Sequence, residues 1–159
     1  MSPLKPLYAL AIALLVAAFV GFGISAFYPE PQYPRYPPEA EFQDPNEKAT
    51  PEQKKEIEEY REKENVYQKA ASNYNLVVAS VSIGAAVLLL VSSLLWLSRL
   101  PVIGDGATLG AVFTLFYGLI RAFMTNSEQF RFIAVAIGLV ILLVLVYLKF
   151  SRSPNGGSG

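Results

Sequence analysis

The chain has 159 residues, is 53% hydrophobic and only 16% charged, and carries 13 basic and 13 acidic side chains. This composition excludes an ordinary soluble domain and predicts a membrane protein. The chain has no cysteine and no histidine. These absences exclude disulfides and cysteine metal sites, and they remove the commonest general base. No carboxylate pair, nucleophile–base pair or phosphate-binding loop is apparent either, so we expect no enzyme activity, cofactor, metal or nucleic-acid partner.

The net charge of zero hides a strong segregation of charge along the chain. Residues 28–74 contain 11 acidic and 7 basic residues, a net charge of −4, whereas the rest contains 2 acidic and 6 basic residues. The pattern predicts an acidic extramembrane region joined to a sparsely charged membrane region. The whole chain is therefore expected to be an all-α membrane protein with four transmembrane helices, the second extended by a long charged extramembrane helix.

The first predicted transmembrane helix covers residues 1–27. Its apolar run from Leu7 to Phe27 has 21 residues, about the length that a bilayer core of ~30 Å requires. A cleaved signal peptide is the alternative, but the run is long for one, so we expect a retained helix. Small side chains recur every fourth residue and predict a helix-packing interface. They are Ala9, Ala13, Ala17, Gly21 and Ser25.

Residues 28–49 form a tether that contains six prolines interleaved with tyrosines. Proline disfavours both regular helix and sheet, so polyproline II or irregular extended chain is expected. We expect this tether to cover one end of the helical bundle.

The longest predicted element combines an extramembrane amphipathic helix, residues 50–74, with the second transmembrane helix, residues 75–99. Thr50 and Gln53 have the spacing of a capping box around Pro51. No proline or glycine follows before Gly84, so one continuous helix is expected. An apolar stripe of 3–4 spacing predicts a partner-facing surface, either for a coiled coil or for the membrane or the protein's own bundle. Its members are Ile57, Tyr60, Tyr67, Ala71 and Tyr74.

The third and fourth transmembrane helices are predicted at residues 105–124 and 126–150, and residues 151–159 are expected to form a disordered tail. A tight turn through Pro101 precedes the third helix, and a capping box from Thr125 to Glu128 opens the fourth. The third helix has a second small-residue series that predicts close packing against the same chain or another copy. This series is Gly106, Gly110, Thr114 and Gly118.

Three charged residues are predicted at the membrane interface: Arg99, Asp105 and Arg121. Asp105 is expected to cap the third helix, with an ion or proton site as the alternative. Arg121, one turn from Tyr117, is expected to extend toward the interface, with a functional charge inside the membrane as the alternative.

Four spans place both termini on one side of the membrane. The positive charges near the ends of the spans predict cytoplasmic termini in the cell membrane, with residues 28–74 outside. A plain count of lysine and arginine opposes this orientation, because the long acidic segment also holds seven of them. The predicted function is non-enzymatic helix–helix association, as a membrane assembly protein, scaffold or accessory subunit. Its partners would be the lipid bilayer and another membrane protein or a second copy. A small oligomeric channel or transporter is the alternative.

Overall fold

The computed structural model describes residues 4–35, 50–95 and 99–151, with side chains through Lys149. These residues form four α-helices and no strand: α1 (Leu4–Phe27), α2 (Pro51–Leu95), α3 (Pro101–Phe123) and α4 (Glu128–Ser151). The prediction of an all-α chain is therefore confirmed. Predictions for residues 1–3, 36–49, 96–98 and 152–159 lie outside the described residues. They concern the start of the first predicted span, most of the tether, the end of the second predicted span and nearly all of the tail.

All four helices are long and apolar enough to cross a membrane. Their outward faces carry large apolar side chains, such as Phe19, which is 80% exposed, and Val140, which is 59% exposed. Apolar surface this extensive is unfavourable in water and matches the hydrocarbon region of a bilayer. The backbone polar groups of each span are satisfied within its own helix, as a membrane environment requires.

The start of α2 follows the predicted capping box. The backbone N–H of Gln53 donates to Thr50 Oγ1 at 3.3 Å, and the backbone N–H of Thr50 donates to Gln53 Oε1 at 2.8 Å. Pro51 is the first helical residue, where its missing N–H removes no intrahelical bond. These local interactions explain why the tether ends and the 45-residue helix begins at this point.

The predicted start of α3 was wrong. The helix begins at Pro101 rather than residue 105, and Asp105 lies within it instead of capping it. The N-cap is Leu100, which makes no side-chain cap hydrogen bond. Proline suits the first helical turn. The segment at Pro101, which was predicted to be a turn, therefore begins the helix.

The cap of α4 also differs from the prediction, because Ser127 replaces Thr125 in this role. The Ser127 Oγ accepts a hydrogen bond from the backbone N–H of Phe130 at 3.2 Å. The Thr125 hydroxyl instead donates to the carbonyl of Ala122 at 2.8 Å. The side chain of Arg131 donates to the Thr125 carbonyl oxygen, which lies 2.9 Å from Arg131 Nε. These bonds close the tight connection between α3 and α4.

Helix α3 is the central helix of the membrane region. About half of its most apolar window is buried, compared with 11% for α1 and for α4. It packs on α1 and α4, and its Gly118 lies against α2. The buried core joins α2, α3 and α4. Its members are Ala79, Ile83, Ala86, Leu115, Ala122 and Ala134.

Residues 30–74 form a compact unit separate from the membrane region, which comprises residues 1–29 and 75–159. Within the described part of this unit, Tyr33 of the tether lies on the extramembrane part of α2. Its ring meets the ring of Tyr67 edge to face at 4.9 Å between centroids, and its hydroxyl accepts a hydrogen bond from Tyr60 at 3.2 Å.

Candidate functional sites

The first half of the small-residue series on α1 meets the first half of the series on α3. A Cβ atom on Gly106 would lie 2.8 Å from Ile12 Cβ and 3.0 Å from the Ala9 carbonyl oxygen. A Cβ atom on Gly110 would lie 2.9 Å from Val16 Cβ. The two helices therefore run parallel and approach too closely for any side chain at these glycines. Ala9 and Ala13 are buried in the same contact.

Gly118 belongs to the same series as Gly106 but packs on a different helix. Its Cβ position lies 3.1 Å from side-chain atoms of Ser82 and Ile83 on α2. A strict four-residue spacing advances about 40° per step around a helix with 3.6 residues per turn, so three steps turn about 120°. Thr114, between the two contacts, is buried and donates its hydroxyl to the Gly110 carbonyl at 2.8 Å. The series thus serves two interfaces.

The second half of the α1 series is less buried than the first half, and at Gly21 no described residue packs against the Cβ position. Ala17 is half-buried, and Ser25 is exposed. Ser25 donates its hydroxyl to the Phe22 carbonyl of its own helix at 3.1 Å. Nothing lies within 4 Å of a Cβ atom built on Gly21, and the same holds for the neighbouring Gly23. The end of α1 therefore presents a surface without bulky side chains at these positions.

Arg121 lies at the α2–α3 interface and is held by several groups. Its Nη1 donates to Asn75 Oδ1 at 3.1 Å, and its Nε donates to the Tyr117 hydroxyl at 3.3 Å. The guanidinium carbon also lies 5.6 Å from the centroid of the Tyr117 ring, a distance compatible with a cation–π interaction. Tyr117 lies one turn from Arg121 in the sequence, but no pairing between them was predicted, and Asn75, 46 residues away, gave no local signal.

Asp105 is paired with Lys149, a residue to which no local sequence pattern links it. Its Oδ1 lies 3.1 Å from Nζ of Lys149 near the end of α4. Both side chains are more than half exposed, at 59% for Asp105 and 51% for Lys149. The pair joins the first turns of α3 to the last turns of α4. Arg99, the third predicted interface charge, is exposed just before α3.

A buried hydroxyl cluster lies next to this ion pair. Ser93 of α2 and Thr108 of α3 are 2.7 Å apart at their hydroxyl oxygens, and each lies within hydrogen-bond distance of the Gly104 carbonyl oxygen. A cavity of about 190 Å³ is lined by Ser93, Thr108, Asp105 and Lys149 together with apolar neighbours. Only the fold reveals this cluster, because Ser93 and Thr108 lie on different helices, 15 residues apart in the sequence.

The predicted partner-facing stripe on α2 is partly covered by the chain itself. Tyr60 and Tyr67 contact Tyr33 of the tether. Ile57 and Ala71 are half-buried, and Tyr74 is buried. A partner helix, the membrane and the bundle were the predicted neighbours of this stripe, and the tether was not among them.

Within the residues that the structure describes, no group of three acidic, cysteine or histidine residues could hold a metal ion. Comparison of the chain with protein-family models, with curated proteins and with solved structures found no match.

Proposed function

We propose that this protein is a non-enzymatic membrane subunit that binds another transmembrane helix through the second half of α1. The observation that supports this proposal is the open position at Gly21, where no described residue lies within 4 Å of a Cβ position; Ser25, one turn further on, faces the same side of the helix. The same helix uses its small residues Ala9 and Ala13 for close packing on α3. A second close contact at Gly21 and Ser25 would use the remaining small residues in the same way.

The energetics of glycine favour a packing role for this surface. Glycine in a helix interior is about 0.8–1.0 kcal/mol less favourable than alanine, and lipid gains no close contact from its missing side chain. A partner helix does gain from it, because association in lipid depends on van der Waals packing and close backbone approach. The partner is either a second copy of this chain or a different membrane protein, so the role is that of an assembly, scaffold or accessory subunit.

The extramembrane unit offers a second contact surface in this proposal. Ile57 and Ala71 lie on the stripe of α2 that Tyr33 covers only around Tyr60 and Tyr67. A soluble segment of the partner would pack on Ile57 and Ala71 and bury them further. The proposed orientation has both termini in the cytoplasm and residues 28–74 outside the cell membrane.

Disulfide trapping tests the α1 interface directly, because the chain has no native cysteine. A single cysteine replaces Ser25, and membranes are oxidised before non-reducing electrophoresis. We expect a cross-linked homodimer if the partner is a second copy. For a different membrane protein, replacing Ser25 with a photo-crosslinking amino acid is expected to give one adduct of defined mass.

The matched control places the same probes at Phe19, which is 80% exposed and lies about 120° away around the helix from Ser25 by the same helical geometry. Adducts at Ser25 but not at Phe19 would support the proposal. Adding Gly21→Ile should abolish them by blocking close approach. Equal adducts at both positions, or none at Ser25 with either probe, would refute it.

A channel or transporter is the second candidate, and one observation favours it. Polar groups occur along the α2–α3 interface, from the buried Ser93 and Thr108 at one end to the buried Asn75 and the half-buried Arg121 at the other. Ser82 lies between them, and its hydroxyl is the one buried side-chain polar atom without a hydrogen-bond partner among the described residues. Ion flux into reconstituted vesicles that is lost in Arg121→Gln would support this function. Vesicles that contain the protein and stay impermeable to ions would exclude it.

A further inference from the structure

The end of the bundle that holds Asp105 and Lys149 combines a polar cavity with an apolar groove. The groove has a volume of about 210 Å³, lies between α2 and α4, and has only apolar surface. Leu94 and Leu145 line both the groove and the polar cavity. The two spaces therefore adjoin at these two leucines, with a charged mouth at one end and an apolar floor along α2 and α4.

We propose that the polar cavity and the adjoining groove together form a slot that binds one phospholipid with an ethanolamine headgroup, its acyl chain lying in the α2–α4 groove. The mouth presents a carboxylate and an ammonium side by side, 3.1 Å apart at Asp105 Oδ1 and Lys149 Nζ. The complementary ligand carries a cation and an anion side by side, as a zwitterionic phospholipid headgroup does. The carboxylate has a second oxygen and the lysine ammonium has two further N–H donors, so both can bind the headgroup while they remain paired.

The hydroxyl cluster selects between zwitterionic headgroups. Ser93 and Thr108 each have one hydroxyl proton. Their hydroxyl oxygens and the Gly104 carbonyl oxygen are so close to one another that both protons form hydrogen bonds among these three atoms. Thr108 and Ser93 donate either to the Gly104 carbonyl or to each other. The hydroxyl oxygens that line the cavity therefore offer only acceptor lone pairs. A primary ammonium has N–H donors for these acceptors and for Asp105, whereas the trimethylammonium of choline has none.

The apolar part of the slot suits an acyl chain for a separate reason. Its lining residues on α2 and α4, including Val91 and Val144, lie in the segments that cross the bilayer. A lipid chain is the apolar ligand present at this depth. This inference does not rest on the proposed protein partner, because the slot lies between α2 and α4 and the proposed protein interface lies on α1.

Native mass spectrometry of the full-length, detergent-purified chain tests the inference. Dioleoyl lipids with ethanolamine, choline or glycerol headgroups are added separately at equal concentration, and the bound fraction is measured. We expect the ethanolamine lipid to bind about tenfold more tightly than the choline lipid, the effect of one charge-assisted hydrogen bond. Asp105→Asn and Lys149→Gln should each reduce this preference to about twofold or less.

Two further variants separate headgroup from chain recognition. Leu145→Trp narrows the slot and should weaken all three lipids equally, whereas Glu128→Gln, at the opposite end of α4, should change none. The inference is overturned if the wild-type chain shows no ethanolamine preference, if Asp105→Asn retains it, or if the anionic glycerol lipid binds most tightly. Because Asp105 and Lys149 are exposed, both variants should fold, which circular dichroism checks.

Discussion

Glycines in this chain differ in what surrounds them, although their local sequences look similar. Gly106 and Gly110 are held against Ile12 and Val16, while Gly21 and Gly84 have no atom of the described residues within 4 Å of a Cβ position. A glycine in a tight contact is there because no side chain fits. A glycine in an open position costs helix stability without an internal benefit, which is why Gly21 points to a contact outside the chain.

Adding one methyl group should therefore have opposite effects at Gly106 and Gly21. Gly106→Ala places Cβ 2.8 Å from Ile12 Cβ and 3.0 Å from a backbone oxygen, and overpacking of this kind destabilises by about 1–3 kcal/mol. Gly21→Ala meets no atom and should stabilise the isolated chain by up to about 1 kcal/mol through helix propensity. Thermal unfolding of both variants in one detergent measures the difference, and equal destabilisation would contradict it.

At the scale of the elements, the extramembrane part of α2 depends on the tether as well as on its own sequence. Its charged pairs and its cap favour a helix, but its tyrosine stripe needs a neighbour to bury the rings. Tyr33 supplies an edge-to-face ring contact to Tyr67 and a hydroxyl partner for Tyr60. An aromatic pair of this geometry contributes about 0.5–1.5 kcal/mol to the contact between Tyr33 and α2.

Removing the Tyr33 ring should release the tether near Arg35, an exposed trypsin site. We expect Tyr33→Ala to accelerate cleavage after Arg35 by about two- to tenfold, since 0.5–1.5 kcal/mol of local stability is lost. Tyr33→Phe retains the ring and loses one exposed hydrogen bond, so its effect should be smaller. Gln32→Ala is the matched control and should leave the rate unchanged. Equal rates in Tyr33→Ala and the control would show that the ring contact does not hold the tether.

At the scale of the whole molecule, the directions of the helices determine which basic residues lie at the same end of the membrane region. Helices α1 and α3 run parallel, and the other neighbours of α3 run antiparallel to it. Lys5, Arg99 and Lys149 lie at the end of the membrane region where α1 begins and α4 ends. Arg121 and Arg131 lie at the other end. The positive-inside rule favours the first end for the cytoplasm when short connections are counted, and the seven basic residues of the long acidic segment are the opposing argument.

Single-cysteine labelling determines this orientation. Cysteine replaces Glu52 in the extramembrane helix or Leu100 in the connection before α3; both are exposed. A membrane-impermeant maleimide should label the Glu52→Cys chain in intact cells, because residues 28–74 are proposed to be outside. The Leu100→Cys chain should react only after permeabilisation. The inverse labelling pattern would reverse the proposed topology, and labelling of both chains in intact cells would indicate a mixed insertion.

Local chemistry in the sequence determined the four helices and several of their boundaries. Apolar runs of membrane length predicted the spans, and the Thr50–Gln53 spacing predicted the start of α2. Prediction from local sequence failed where one residue suits two different local structures. Pro101, for example, suits either a turn or the first position of a helix. The same ambiguity separates Thr125 from Ser127 as the cap of α4.

The tertiary structure alone decided which helix each residue meets. Residues spaced by four turn slowly around a helix, so the glycines of α3 reach α1 at Gly110 and α2 at Gly118. The pairing of Asp105 with Lys149 and of Ser93 with Thr108 spans two helices in each case. No local pattern encodes such pairs, because they depend on the register and rotation at which whole helices pack.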